Sequence, residues 1–355
     1  MVVPRGPSSR RTFLKSSLGA AGALTLAGCL GGEGGTGNGG GNGSGGGSGP
    51  TDMVMHTATE TTAAYAMSQG IAAVVNDNTD AVRIDARPSE GTNANIGQLN
   101  RNEAHIVYIQ NWSANKIEEG EEPFSDLSFQ PYQVHHLYDL GWFLCSGNDG
   151  WETVADIEPD SRVSPTPRGS GTAEMLEHAL GYVTSDYERI SVDYGGQASA
   201  MSEGRLDVGA GTFVNFSVEP GWLQEMKGTV DLRLLDFPDD ATAEMESDPA
   251  LLVTEIDTGE MEGYAHAPDP LIAPSLAYNF VVRNDFSYDA VYGYLEALHG
   301  NREGLGEYHG LLTPLADEKY FLENPYDMPF HPAAADFYEE LGIWSDDLTR
   351  GEKVE

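Results

Sequence analysis

From Val54 onward the sequence alternates short β-rich runs with amphipathic runs, and a polar turn stands between each strand and the helix after it. That alternation calls for an α/β fold built on parallel strands. Val54–Thr57 reads as a strand and leads into a helix whose apolar positions Ala63, Met67, Ile71, Val74 and Val75 recur at three and four. Val82–Ala86 is a second strand, followed by a helix with Ile96 and Leu99 inward. His105–Ile109 is a third strand, ending at Gln110. Open α/β sheets gather ligand groups at such strand-to-helix turns.

A second cycle starts near Arg162. Val163-Ser164 runs through a Pro- and Gly-rich turn into a helix over 173–180. Strands are expected over 189–194, 206–213, 230–235 and 277–283, with a helix over 197–203. Ser287 is placed to cap a helix carrying Val291, Leu295 and Leu298 on one face, and a last helix spans 333–341. Two cycles with a chain that returns to the first describe a hinged, two-lobe protein. The expected organisation is 51–157 with 276–355 as one lobe and 158–275 as the other.

The N-terminal part has a different character. Ser9-Arg10-Arg11-Thr12-Phe13-Leu14-Lys15 precedes a short apolar stretch ending in Leu26-Ala27-Gly28-Cys29. A twin-arginine run before such a stretch is an export signal, and the ending resembles a lipobox that leaves lipid-bearing Cys29 first in the mature chain. The apolar stretch is about half of what a bilayer span requires. Residues 1–28 are read as the signal, and 29–50 as the anchored cysteine and a Gly-rich tether with a reach of roughly 25 Å. The expected location is the outer face of the cytoplasmic membrane. Removing the signal takes four of 19 basic residues and no acid, leaving 15 against 56, or −41. Acids scattered along the chain with few lysines resemble the surfaces of extreme halophiles. In molar salt a Debye length of roughly 3 Å screens the repulsion. So negative a chain is a poor partner for nucleic acid. Cys145 is left unpaired once Cys29 is lipidated, so stability rests on a core. Sequons begin at Asn42, Asn111 and Asn215.

The residues that carry chemistry lie in the turns. Gly169-Ser170-Gly171-Thr172 opens a helix, where free N–H groups and a partial positive charge receive a carboxylate. Arg168 beside it is placed to grip such an anion with two parallel bonds, and Arg87 is a weaker candidate. Tyr65, Asn95, Gln110, Tyr194, Gln197 and Thr212 supply orienting polar groups; Trp112, Trp142 and Trp222 supply apolar walls. Enzyme chemistry finds little support. Ser170 lacks the Gly-x-Ser-x-Gly elbow, adjacent His135 and His136 would point apart on a strand, and no Gly-Lys-Ser/Thr phosphate loop occurs. No metal or cofactor is called for, and a secreted hydrolase ranks last. A sensor lipoprotein that presents solute to a membrane receptor is the alternative reading.

Taken in order, these motifs resemble the solute-binding proteins of TRAP transporters, specifically the TAXI family in a haloarchaeal lipoprotein form. The matching runs are Thr59-Glu60-Thr61-Thr62-Ala63-Ala64-Tyr65, Gly91-Thr92-Asn93-Ala94-Asn95, Ile106–Gln110, Gly169–Thr172, Gly204–Val208 and His331–Gly342. Two departures stand out: the first turn lacks glycines, and Arg168 occupies a position usually small or Pro. The resemblance implies a two-lobe type II periplasmic-binding-protein fold with a cleft at the hinge. It also implies capture of a small carboxylate or amino acid and delivery to an ion-gradient-driven permease, with no bond made or broken. Carried over residue by residue, it adds Thr59, Thr61, Thr62, Gly91, Thr92 and Gly171 to the expected ligand contacts.

Overall fold

The computed structural model describes residues 49–354 except Thr61 and Gly169. The export signal, Cys29, Asn42 and nearly all of the tether therefore lie outside the described residues. No helix among those described is long and apolar enough to cross a membrane.

The chain folds as β1 (Thr51–His56), α1 (Ala63–Asn78), β2 (Val82–Arg87), α2 (Thr92–Asn100), β3 (Ile106–Gln110) and α3 (Asn111–Glu118), followed by the long β4 (Pro131–Ser146). Next come β5 (Arg162–Val163), α4 (Gly171–Gly181), β6 (Glu188–Arg189), α5 (Gln197–Ser202), β7 (Val208–Val214), α6 (Gly221–Thr229), β8 (Arg233–Leu235), α7 (Asp239–Glu246) and β9 (Leu252–Ile256). The chain then returns through β10 (Leu271–Arg283), α8 (Tyr288–Gly300), three short 3-10 turns over 302–322, and α9 (Pro332–Leu341).

All ten strands join one mixed sheet in the order β2-β1-β3-β10-β4-β7-β5-β6, with β8 on β4 and β9 on β10. The mixed α/β class is as expected. The expectation of parallel strands throughout is corrected. β1 pairs parallel with β2 and β3, and β5 with β6 and β7, but β3–β10, β10–β4 and β4–β7 are antiparallel. The cause is the returning chain. β4 carries it from the β2-β1-β3 half to the β7-β5-β6 half, and β10 brings it back beside β4 in the opposite sense. Sixteen residues give β4 a length of about 50 Å, enough to belong to both halves.

Periodicity places the core correctly except at Ala63, which is exposed in the first turn of α1, where Ala64 is buried instead. Met67, Ile71, Val74 and Val75 of α1, Ile96 and Leu99 of α2, and Val291, Leu295 and Leu298 of α8 are all buried. Ser287 caps α8 by accepting the Ala290 N–H at 3.3 Å. The strand expected over 189–194 shrinks to Glu188–Arg189, since the chain turns away after Arg189 into a 3-10 turn at Tyr194–Gly196.

Where β4 and β10 run side by side, the interior is polar. His136 Nδ1 lies 2.7 Å from Asn279 Oδ1, the Asn279 amide donates to Gln133 at 3.1 Å, and Asn324 donates to Asp139 at 3.0 Å. His135 turns the other way, its Nε2 2.8 Å from the Tyr294 hydroxyl, and burial lowers its pKa to about 3, so it is neutral. The two histidines thus serve different networks. Such satisfied buried bonds fix one arrangement of the crossing strands.

Candidate functional site

Helix N-termini from both halves open at the strand ends. α1 starts after β1, its first turn held by Thr62, whose hydroxyl accepts the Tyr65 N–H at 3.3 Å and donates to the Thr59 carbonyl at 2.7 Å. α4 starts after β5. Ser170 caps it, accepting the Ala173 N–H at 3.1 Å and donating to the Pro167 carbonyl at 3.2 Å. Capping uses one amide in each case. The N–H groups of Ala63 and Ala64, and of Gly171 and Thr172, have no carbonyl partner inside their helices. Each end is therefore an anion-receptive surface.

Gly171 sets how closely α4 approaches the first half. A Cβ there would overlap the amide of Gln110, the last residue of β3, so any larger residue has to displace that amide. Gln110 is buried and accepts the Tyr278 hydroxyl at 2.9 Å. Tyr278 in turn stacks on Tyr138 at 4.8 Å and meets Tyr108 edge-on at 4.9 Å. Trp142 and Tyr194 follow at 5.9 Å, and Tyr194 stacks on Trp222 at 5.1 Å. Desolvation raises the hydroxyl pKa of Tyr138 and Tyr278 well above the ordinary phenol range, and that of Tyr194 to about 12. All three are neutral donors at physiological pH. The Trp142 indole N–H is buried without an acceptor among the described residues. The Tyr278 hydroxyl is already committed to Gln110, so the free donor in the cluster is this indole.

The turn before α4 is held by a residue the sequence reading did not single out. Thr166 is almost wholly buried at φ 77°, a costly conformation for a β-branched residue. Arg189 bonds its carbonyl at 3.0 Å and reaches Glu177 on α4 at 2.7 Å. Strand β6, too short to register as a pattern, is what brings Arg189 there.

The expected contacts separate into groups. Thr62, Tyr65, Gln110, Ser170, Gly171, Thr172 and Tyr194 stand at the two helix ends or on the aromatic cluster below them. Asn95 is buried and its amide donates to the carbonyls of Thr57 and Tyr108, at 2.8 and 3.0 Å, tying β1 to β3. Gln197 holds both backbone groups of Ala210, at 3.1 and 2.9 Å, and Thr212 donates to the Gly141 carbonyl at 3.0 Å. These three are engaged in the frame. Gly91 caps α2 at φ 104°, beside half-buried Thr92, at the end of β2. Thr59 is exposed. Arg168 is exposed too, its guanidinium 3.4 Å from the Arg189 carbonyl, and Arg87 pairs with Asp85 at the surface. Thr61 and Gly169 lie outside the described residues. Of the sequons, Asn111 donates to Ser275 and accepts from Ala277 on β10, and Asn215 accepts the Asp139 N–H. Both side chains are part of the frame.

A separate crevice of about 370 Å³ lies between α3, Pro249–Leu252 and Asn324–Asp327. It is lined by Glu118, Glu119, Asp327 and the sequon residue Asn111, and contains none of the ligand contacts expected from sequence.

A mixed sheet shared by two halves, with helices that start at its strand ends and α4 opening against Gln110, is an α/β architecture of the kind that holds small molecules at strand ends. More particularly, the chain belongs to the NMT1-like family, whose model matches residues 55–342. No curated protein sequence matches it. Among solved structures it is similar to the probable amino-acid ABC transporter extracellular-binding protein ytmK from Bacillus subtilis. That match has 12% identity and a TM-score of 0.45, over 78% of this chain and 100% of that one. A putative L-cystine ABC transporter from Listeria monocytogenes matches at 11% identity and a TM-score of 0.43, over 78% and 98%. The BvgS periplasmic domain of B. pertussis matches at 11% identity and a TM-score of 0.41, over 75% of this chain; the chain spans 43% of that domain's length.

Proposed function

We propose that this protein is the extracytoplasmic solute-binding subunit of a transport system, capturing a small organic anion or amino acid and handing it to a membrane permease. The observation that carries this reading is the close approach of the α4 N-terminus at Gly171, from one half of the sheet, to Gln110 and the buried tyrosines of the other. Two open helix ends and the free Trp142 indole N–H suit a carboxylate without a buried cation. Residues 51–157 with 276–355, and 158–275, are the lobes that close on it, and water is excluded as they do. Arg168 swings from the Arg189 carbonyl to the bound carboxylate. The resemblance to TAXI proteins supports a TRAP permease as the receiver, with twin-arginine export and lipid on Cys29 holding the protein at the outer face of the cytoplasmic membrane. Chemistry on the solute forms no part of the reading.

Thermal unfolding in molar salt against a panel of carboxylates and amino acids tests it. A ligand at a hundred times its dissociation constant adds about 2.7 kcal/mol of stability. If no member of the panel raises the midpoint, the carboxylate reading fails. If a ligand is found but Arg168→Ala leaves its affinity within twofold by calorimetry, the arginine plays no part.

A further inference from the structure

Ion pairs among the described residues are mostly local or confined to one half of the sheet, as in Arg101–Glu103, Arg162–Asp207 and Lys227–Glu219. One lysine or arginine pair among them joins the halves. Lys116 of α3 donates to Glu174 Oε2 of α4 at 3.1 Å. The same oxygen accepts the Trp112 indole N–H at 3.3 Å, and the Trp112 ring lies 5.2 Å from the His178 ring, about one turn further along α4. These contacts sit directly behind the Gln110–Gly171 approach.

We propose that Lys116, Trp112 and Glu174 form a clasp that holds the two halves shut over the candidate site. The inference rests on the proposed binding function only for the clasp's purpose; the clasp itself can be tested without any solute. Each charge is favoured by its own helix, since Glu174 lies in the first turn of α4 and Lys116 in the last turn of α3. The pair bridges those two ends and satisfies both. Lys116 is mostly covered, at 17% side-chain exposure, so the contact is partly shielded from solvent. Lys116 is also one of only five lysines in the sequence. The two halves otherwise present mainly acidic surfaces, so direct Coulomb repulsion favours opening when salt is low. At molar salt that repulsion is screened beyond roughly 3 Å, whereas a pair in direct contact persists. The clasp therefore matters most as salt is lowered.

Charge reversal tests this on the unliganded protein. Small-angle scattering across a salt series should show Lys116→Glu and Glu174→Lys each with a larger radius of gyration than the wild type, most clearly at low salt. The open-to-closed ratio should rise about fivefold, the size expected of a favourable partly exposed pair. Combining the two reversals should restore most of the compactness, because the pair re-forms with opposite sense. Trp112 emission, isolated by subtracting a Trp112→Phe variant, should shift toward a more solvated spectrum in each single reversal and return in the double. If a single variant folds poorly, Lys116→Met and Glu174→Gln carry the same test with milder changes. Unchanged radii and emission in the single variants overturn the clasp, and so does a double variant as open as the singles. Compact-to-open behaviour as expected, together with a solute panel that gives no stabilisation, would leave the clasp standing and remove the binding reading.

Discussion

The two halves of the sheet are built by different means. In the half containing β1, β2 and β3, β1 pairs with β2 along its whole length and β3 pairs with β10 over five residues, while β1 and β3 meet at two pairs. In the half containing β5 and β6 each strand has two residues, and β5 meets β7 at one pair. Side chains replace the missing ladder there. Arg162 bonds Asp207 through Nε at 2.8 Å and Nη2 at 2.9 Å, Ser164 accepts the Val192 N–H at 3.0 Å, Gln197 holds Ala210, and Arg189 holds Thr166. A half fixed by a few side-chain bonds concentrates its stability in single residues; a half fixed by ladders spreads it.

That contrast can be broken by substitution. Arg189→Ala should cost the most, about 2–3 kcal/mol, because it leaves the buried Thr166 carbonyl and Glu177 without their donor. Denaturant titration measures the loss, and a cost below about 0.5 kcal/mol would show that β6 is held in some other way. Gly171→Ala follows at about 1–3 kcal/mol, since the new methyl must displace the Gln110 amide. A crystal structure of that variant with Gln110 unmoved would contradict the close approach described here. The caps give a matched pair across the halves. Ser170→Ala and Thr62→Ala should each lose about 1 kcal/mol, and calorimetric melting that separates them widely would show that cap strength, too, differs between halves. The smallest effect is the acid response. Asp207 is desolvated, which raises its pKa, but the bonds from Arg162 outweigh this and hold it below the usual carboxylate value. The stability it contributes is therefore present above about pH 4 and is lost as pH falls through the lower folded value. Hydrogen exchange should show the β5–β7 region losing protection before β1–β3 as pH falls. The reverse order would count against the comparison.

Legibility cut across that division. α1, α2, α4, α8 and α9 were readable, and all of these but α2 have a side-chain cap in place. β4 was not, because Gln133, His135, His136 and Asp139 interrupt its apolar pattern while lying buried against partners on other segments. The 3-10 turns over 302–322 have no period that sequence alone reveals. In the site, the Ser170 and Thr62 caps could be anticipated, since a hydroxyl before a helical run bonds locally. Arg189 could not, because its partner Thr166 is 23 residues away and unremarkable by itself.

By itself the sequence determined the class of fold, the positions of the main helices and the helix start at Ser170–Thr172, all of which follow from interactions within a few residues. Only the tertiary structure decided that the central strands run antiparallel, that Arg168 faces solvent, and that Tyr108, Tyr138 and Tyr278 gather beneath Gln110. Those outcomes depend on contacts between segments far apart in the chain. No local propensity records which of them meet.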